Sequence, residues 1–232
     1  MNNTDIHPIQ SRILCELLFV TTAGFAELNK EKFGSDLFSF HLRQLTDWKL
    51  IEKNSEGKYC LTTKGKEYAN RFDTKNKELE RQPKLTVLLV AIRENNGVKE
   101  YLIQKRLKQP YYGYWGFISG KIRWGEIIKE AALRELGEET GLMGSVKLVG
   151  IKHKMDYDRA SVLLEDKFFL VFKAENLKGK LLTKFEGGEN HWMEKEDILK
   201  LKNLFDGIEE AMEMTDWRNI KLSENKYKVV KY

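Results

Sequence analysis

The chain has 232 residues, of which 41% are hydrophobic and 32% are charged, and its formal net charge is +5. That length suits one large or two modest domains with a buried core, and no apolar run approaches the roughly 20 residues that cross a bilayer. The first ten residues lack the basic segment of a secretory signal. Cys15 and Cys60 are too few for a disulfide framework. We therefore expect a cytoplasmic protein.

The positive charge is spread along the whole chain. Residues 1–83 carry 13 Lys and Arg against 12 Asp and Glu, and the remaining residues carry 27 against 23. A nucleic-acid-binding domain usually concentrates its basic residues on one surface. The front of the chain therefore lacks a strong electrostatic footprint for nucleic acid, although residues 41–66 hold six basic and three acidic side chains.

The front of the chain predicts a small helical unit with one hairpin. Apolar spacing, Pro8 in a first turn and the turn residues at 54–57 predict helices at 8–20, 25–29 and 35–48, strands at 50–53 and 58–62, and a helix from Thr63 to about 73. We expect Ser35 to cap the third helix. Its buried side is assigned to Leu37, Phe38, Phe40 or His41, Leu42 and Leu45.

This unit resembles the winged-helix domain of bacterial regulators over residues 8–72. The resemblance is carried by His41-Leu42-Arg43-x-Leu45, Leu50-Ile51-Glu52 and Tyr59-x-Leu61-Thr62-x-x-Gly65. It implies that the third helix enters the major groove of DNA. The DNA-binding candidates are then Ser35, Ser39, Arg43 and Gln44, with Lys58 at the wing. The alternative is a winged-helix module used for protein contact or dimerisation.

A polar segment at 73–83 predicts a linker, and a second domain follows it. The apolar run 85–92 is typical of a strand buried on both faces, and 100–105 predict its hairpin partner. An aromatic loop comes next. Its Tyr114 and Trp115 could stack on a nucleobase or pack against the fold, and Arg106 is a basic candidate for substrate binding.

Residues 120–142 predict a glycine loop that leads into a carboxylate-bearing helix. The helix is expected from Glu126 to about Thr140, with Gly141 as a left-handed cap. Gly120 and Gly125 suit a sharply bent loop. On a helix the side chains of Glu135, Glu138 and Glu139 converge on one face, and the expected apolar stripe is Ile128, Ala132, Leu133 and Leu136.

Three carboxylates so close repel each other unless a hard divalent cation binds between them. The alternative interpretation is that the three glutamates form a solvated acidic face without a functional role. The spacing argues against it, because the segment resembles the Nudix box: Gly120, five residues, Glu126, seven residues, then Arg134-Glu135-Leu136-x-Glu138-Glu139-x-Gly141-Leu142. Many members of that family have Pro-Gly-Gly where this chain has Ser119-Gly120-Lys121.

The resemblance implies a hydrolase of nucleoside diphosphate derivatives that uses Mg²⁺, with Mn²⁺ as a substitute. The implied metal ligands are Gly120, Glu135, Glu138 and Glu139, with Arg134 orienting a carboxylate. Lys121 and Arg123 are candidates for substrate phosphates. Family members often carry a further glutamate near the segment 185–192 that binds metal or activates water, and the candidates are Glu186 and Glu189. The catalytic base that takes the proton from the attacking water is expected to be Glu135, Glu138 or Glu189. Members are frequently homodimers, and the sequence leaves this open.

The remaining segments predict strands at 146–154 and 165–174, a helix pair within 196–216 and a last strand at 227–230. The expected fold class is α+β: an N-terminal winged helix-turn-helix domain (1–72), a linker (73–83) and a Nudix α/β/α sandwich with a mixed sheet (84–232). The expected function is pyrophosphate hydrolysis on an ADP-ribose-like compound, a dinucleotide or a nucleoside triphosphate. The alternative is a DNA-binding regulator whose Nudix domain senses a nucleotide metabolite. No membrane contact is expected.

Overall fold

The computed structural model of the protein describes residues 6–229 and 232. The chain forms two compact units, Met1–Arg81 and Gln82–Tyr232. None of the helices within the described residues combines the length and apolarity that a membrane span needs. Val230, part of the expected last strand, lies outside the described residues.

The front unit has the element order that the sequence predicts for a winged helix, three helices followed by a hairpin and a further helix. In chain order its elements are α1 (Pro8–Leu17), α2 (Phe25–Leu28), α3 (Ser35–Asp47), β1 (Ile51–Lys53), β2 (Tyr59–Leu61), α4 (Thr63–Ala69), β3 (Phe72–Asp73) and β4 (Glu78–Leu79). Strands β1 and β2 pair antiparallel. Strands β3 and β4 form a second small hairpin, so most of the expected linker belongs to this unit instead.

The buried side of α3 differs in part from the expectation. Phe38, Leu42 and Leu45 are buried as expected. The sequence left open whether Phe40 or His41 is buried, and the buried residue is His41. Leu37 and Phe40 are 48% and 49% exposed, because they project from the side of the helix turned away from Leu45. Ser35 was also wrongly assigned as the cap: it is the first helical residue, and Gly34 precedes it as the cap.

The second unit is built on one large mixed sheet. Its elements are β5 (Lys84–Asn95), β6 (Val98–Arg106), β7 (Trp115–Gly116), β8 (Ile118–Lys121), α5 (Ile128–Thr140), β9 (Met143–Tyr157), β10 (Leu163–Lys178), β11 (Lys184–Phe185), β12 (Gly188–Glu194), α6 (Lys195–Leu199), α7 (Ile208–Met214) and β13 (Leu222–Lys228). The strand order is β11-β12-β6-β5-β10-β9-β13, with β7 beside β6 and β8 beside β5. The pairs β5–β10 and β9–β13 are parallel, and the others are antiparallel.

Helices cover both faces of this sheet, which gives the expected α/β/α sandwich. Side chains alternate along β5, so Val87 and Leu89 pack on the side of α5 while Leu88 and Val90 pack on the side of α6 and α7. This explains why the apolar run of β5 is continuous. Every functional side chain can therefore be assigned to the α5 face or to the α7 face of the sheet.

Helix α5 begins two residues later than expected, and its buried stripe matches the expectation at Ala132 and Leu136 only. Ala131, Ala132 and Leu136 are fully buried beneath it. Ile128 and Leu133, which the apolar spacing placed on the buried side, are exposed. The small side chains at Ala131 and Ala132 let the helix lie close to the strands, which leaves the larger side chains at its rim.

The pH dependence of the front unit should reveal a buried imidazole. His41 is buried against the ring of His7, and neither of its ring nitrogens has a hydrogen-bond partner among the described residues. Burial, and secondarily the nearby His7, lowers the pKa of His41 below its ordinary value of about 6.5. The unfolded chain therefore binds more protons than the folded one below about pH 6.5, and stability is lost as the pH falls towards the folded-state pKa.

We expect the free energy of unfolding to fall more steeply from pH 7.5 to 5.5 in the native chain than in a His41→Phe variant. An NMR titration of the His41 ring protons measures the pKa directly. His191→Gln is the control. His191 is exposed, so its replacement should leave the contribution of His41 to the pH dependence unchanged. A His41 pKa at or above the ordinary value would contradict the assignment.

Candidate functional site

The candidate site is centred on a close approach between Gly120 in β8 and Glu135 in α5. Gly120 lies opposite Val87, so its missing side chain would point towards α5. A Cβ added there would stand 1.8 Å from the carboxyl carbon of Glu135. Glycine at position 120 is therefore required by space. The bend in the loop comes from Gly125, whose φ of 78° lies in the left-handed region.

Arg134 binds three carboxylates at once. Its guanidinium donates to Glu126 at 2.6 and 2.9 Å, to Glu135 Oε1 at 2.6 Å and to Glu138 Oε2 at 3.1 Å. The hydrogen bonds from Arg134, followed by one from the backbone N–H of Arg123, lower the pKa of Glu126 to about 2. Glu126 is thus a permanently ionised brace that fixes the Arg134 fork between the loop and the helix.

Glu139 is held by the sheet, not by Arg134. Gln104 Nε2 on β6 donates to Glu139 Oε2 at 3.1 Å, and Asn190 Nδ2 on β12 donates to the backbone carbonyl of Glu139 at 2.8 Å. Burial, together with the charge of Glu135, raises the pKa of the Glu139 carboxyl. The sequence analysis missed Gln104 and Asn190. The only feature of the sequence that could have indicated Gln104 is that this polar residue follows the apolar residues Leu102 and Ile103 in the same strand.

These residues fit a divalent cation, although they are not yet arranged as its ligands. Within residues 6–229 and 232, no three His, Cys, Asp or Glu side chains form a ready metal-binding group. Arg134 and Gln104 donate hydrogen bonds to the carboxylates of α5. A bound cation would otherwise neutralise these carboxylates. The empty space at Gly120 lets Glu135 approach β8, and a cation would favour the ionised form of Glu139, whose pKa is raised mainly by burial and to a smaller extent by the charge of Glu135. A hard ion with oxygen ligands, such as Mg²⁺ or Mn²⁺, suits this donor set.

The loop between Gly120 and α5 is tied to the helix. Arg123 Nη2 donates to Glu138 Oε1 at 3.2 Å, and the Arg123 backbone N–H donates to Glu126 at 2.8 Å. The Lys121 carbonyl accepts from Arg134 at 3.2 Å, while its side chain is exposed. Both basic candidates are exposed, and Arg123 is the one whose side chain pairs with a carboxylate of α5.

The other substrate-binding candidates lie in contact with the protein itself. Arg106 donates to the carbonyl oxygens of Pro110 and Gln109 at 2.6 and 3.3 Å, and burial lowers its pKa. The Tyr114 ring lies 5.1 Å from Phe205, and Trp115 packs edge-on to His191 at 5.3 Å. Of the two roles left open for the aromatics, packing is the one seen here.

The structure does not bring the two late glutamates to the α5 carboxylates. Asn190 faces α5, so Glu189, its neighbour in β12, points to the opposite face, where Lys184 pairs with it at 3.2 Å. Glu186 is exposed in the turn between β11 and β12. The glycines of this segment suggested a loop at the site, but Gly188 begins a regular strand paired with β6.

The DNA-binding candidates of the front unit lie on or beside the outer side of α3. Ser35 and Arg43 are exposed, but Ser39 and Gln44 are half-buried, and Gln44 Oε1 accepts from Gln10 at 2.8 Å. Lys58 at the wing lies 3.5 Å from Glu56. Further side chains exposed on α3 are Asp36, Leu37, Phe40 and Asp47.

The second unit is similar to known proteins of one family. A family model described as NUDIX domain matches residues 82–215. The chain is 26% identical over 166 residues to the ADP-ribose pyrophosphatase of Methanocaldococcus jannaschii, covering 69% of this chain and 92% of that protein. It is 29% identical over 96 residues to an uncharacterized Nudix hydrolase of Bacillus subtilis, covering 41% of this chain and 60% of the other. The solved NUDIX domain of Shewanella oneidensis NrtR, complexed with ADP ribose, has a TM-score of 0.49 and 18% identity, covering 67% of this chain and 97% of that one.

The space at Gly120 can be tested with two alanine substitutions. In Gly120→Ala the new methyl group displaces the Glu135 carboxylate, so we expect the affinity for Mn²⁺, measured by calorimetry, to fall at least about tenfold. Gly137→Ala is the matched control, because its methyl group meets no atom within 4 Å and lies in the interior of α5. It should keep the Mn²⁺ affinity and stabilise the chain by up to about 1 kcal/mol. Equal Mn²⁺ binding by the native chain and Gly120→Ala would show that Glu135 does not act through this space.

Proposed function

Because the chain belongs to the Nudix family, whose model covers residues 82–215 of 232, we propose that it hydrolyses the pyrophosphate linkage of a nucleoside diphosphate derivative. The observation that carries the proposal is the close approach of Glu135 to Gly120. Arg134 holds Glu135 and Glu138 through hydrogen bonds, and Gln104 on β6 holds Glu139. A solvated acidic face would need neither the glycine nor the donors.

The proposed cation site consists of the Gly120 carbonyl and the carboxylates of Glu135, Glu138 and Glu139. When bound there, Mg²⁺ or Mn²⁺ neutralises charge on the pyrophosphate oxygens and lowers the pKa of a bound water. Arg134 holds the carboxylates of Glu135 and Glu138 through charge-assisted hydrogen bonds. Glu126 holds Arg134 in turn, so the loop and the helix are positioned before substrate arrives.

The protein must also accept a proton from the attacking water. Of the candidates for this base, Glu135 lies beside Gly120 and, like Glu138, accepts a hydrogen bond from Arg134, whereas Glu189 faces away from α5 and pairs with Lys184. We assign the role to Glu135 or Glu138.

The preferred substrate class is an ADP-ribose-like compound. The relative from M. jannaschii is an ADP-ribose pyrophosphatase, and its match with this chain covers 92% of it. The α5 carboxylates handle only the pyrophosphate, so other loops decide which groups flank it. Dinucleotides and nucleoside triphosphates therefore belong in the same substrate panel.

The competing function is a DNA-binding regulator whose second unit senses a nucleotide. The exposed side of α3 speaks against it, because Asp36 and Asp47 outnumber Arg43 there and Leu37 and Phe40 are half-exposed. Phosphate contacts by a recognition helix require basic and polar side chains. A gel-shift assay with the promoter region of the protein's own gene separates the two functions, since the regulator retards that DNA at moderate salt and the hydrolase alone does not.

The cation ligands can be tested by removing one charge at a time. We expect Glu138→Gln and Glu139→Gln to lower Mg²⁺-dependent turnover of ADP-ribose at least about a hundredfold, since each removes a charge that acts on the transition state. Both variants should retain the circular dichroism spectrum of the native chain. Glu130→Gln is the control, because Glu130 is exposed on the first turn of the same helix. Full turnover by Glu138→Gln or Glu139→Gln would refute its assignment.

A further inference from the structure

Asn190 is a buried polar side chain to which the proposed reaction assigns no role. It lies in β12 on the α5 face of the sheet, two residues before Trp192, and is 2% exposed. Removing an amide from water is unfavourable unless each of its polar groups finds a hydrogen-bond partner. The partners of Asn190 therefore indicate why a polar side chain occupies this position.

The side-chain amide of Asn190 has a fixed orientation. Its Nδ2 donates to the backbone carbonyl oxygens of Glu139 and Leu182, both at 2.8 Å. Because a carbonyl oxygen only accepts, the amide nitrogen must face these two atoms. Its Oδ1 then faces Gln104, whose Nε2 donates to it at 3.4 Å. Asn190 thus joins the end of α5, the segment before β11 and strand β6.

The Glu139 carbonyl is a group that α5 cannot satisfy by itself. The last four carbonyl groups of an α-helix lack partners within the helix, and α5 ends at Thr140. The Thr140 carbonyl accepts from the Leu182 N–H at 2.8 Å, and the Glu139 carbonyl accepts from the Asn190 side chain. Asn190 therefore fixes the backbone of a residue that carries one of the proposed cation ligands.

Gln104 holds the side chain of the same glutamate. It lies directly opposite Asn190 in the pairing of β6 with β12. Its Nε2 carries two N–H groups and donates to Glu139 Oε2 at 3.1 Å as well as to Asn190 Oδ1. Asn190, Gln104 and Glu139 therefore form a closed ring of hydrogen bonds. The ring holds both the backbone and the carboxylate of Glu139, and it leaves the second carboxylate oxygen, Oε1, for a cation.

Capping of the helix end accounts for a donor at position 190 only. An apolar side chain of similar size at position 104 would fill the same space, and an apolar residue at position 139 would need no donor there. What the ring adds is one defined orientation of a half-buried carboxylate, because its donors lie in fixed directions. A defined orientation matters for a cation ligand, since the oxygen ligands of one ion must meet at one point.

We propose that Asn190 and Gln104 are positioning residues, which set the place and the orientation of the Glu139 carboxylate for cation binding. This rests on the proposed hydrolase function, whose cation site includes Glu139. Neither positioning residue is assigned a contact with the cation or with the substrate. Loss of a partner that orients a metal ligand typically weakens metal binding about 10–100-fold.

The first test measures Mn²⁺ binding by calorimetry in the absence of substrate. We expect Asn190→Leu and Gln104→Met, which remove the donors and keep similar side-chain sizes, to weaken Mn²⁺ binding about tenfold or more. Thr140→Val is the matched control. The Thr140 hydroxyl also secures the buried end of α5, but it donates to the Leu136 carbonyl and not to a carboxylate. Thr140→Val should lower the thermal stability and keep the Mn²⁺ affinity.

Gln104 is only half-buried, so Gln104→Met tests the proposal even if Asn190→Leu does not fold. The native Mn²⁺ affinity in either folded variant would overturn the proposal. An equal loss of Mn²⁺ affinity in Thr140→Val would also overturn it, because any loosening of the helix end would then have the same effect.

The second test asks whether the effect passes through Glu139. In a Glu139→Gln background, Gln104→Met should change the Mn²⁺ affinity by less than about twofold, because the effects of residues that act through one another are not additive. A further loss of about tenfold in that background would reject the positioning role.

Turnover separates this proposal from the hydrolase function. With ADP-ribose as substrate, Gln104→Met should raise the Mg²⁺ concentration needed for half-maximal rate about tenfold, and at saturating Mg²⁺ it should leave the KM for ADP-ribose within about twofold. Mn²⁺ affinities as expected, in a protein that cleaves no nucleotide, would support the positioning role and reject the hydrolase. Turnover whose Mg²⁺ dependence Gln104→Met leaves unchanged would reject the positioning role alone.

Discussion

The second unit depends at its functional end on the Arg134 guanidinium, which binds the carboxylates of Glu126, Glu135 and Glu138 together. Without this fork, the carboxylates of Glu135 and Glu138 on α5 and of Glu126 before it would repel each other and turn towards solvent. With it, the loop that contains Gly120 is joined to α5, and Glu135 fits into the space left by the missing Cβ. An ion-pair network thus joins the loop and the helix before any ligand binds.

The sequence predicted most of what local spacing can encode. The helix, its Gly141 cap, the buried strand at 85–92 and the order of the winged-helix elements follow from periodicity and turn residues. The partners of Glu139 could not be predicted, because Gln104 and Asn190 come from distant strands and meet it only through sheet pairing. The face of Glu189 could not be predicted for a related reason: strand alternation decides it, and the start of a strand cannot be fixed from a glycine-rich segment.

The errors in the helices share another physical cause. Leu37, Phe40, Ile128 and Leu133 are apolar at helical spacing, yet each lies exposed at the edge of its helix. Apolar spacing marks a broad sector, while the buried strip is set by the shape of the surface beneath, which only the fold supplies. Small residues such as Ala131 and Ala132 carry little hydrophobic signal, but they decide how closely α5 approaches the sheet.

The acidic side chains proposed as cation ligands lie on α5, the helix that covers one face of the sheet. The central claim concerns the acidic side, and the most direct measurement is an anomalous difference map from crystals of the protein soaked in MnCl₂. The account predicts a manganese peak in contact with the Gly120 carbonyl and the carboxylates of Glu135, Glu138 and Glu139. A map with manganese bound elsewhere, and none at α5, would contradict it.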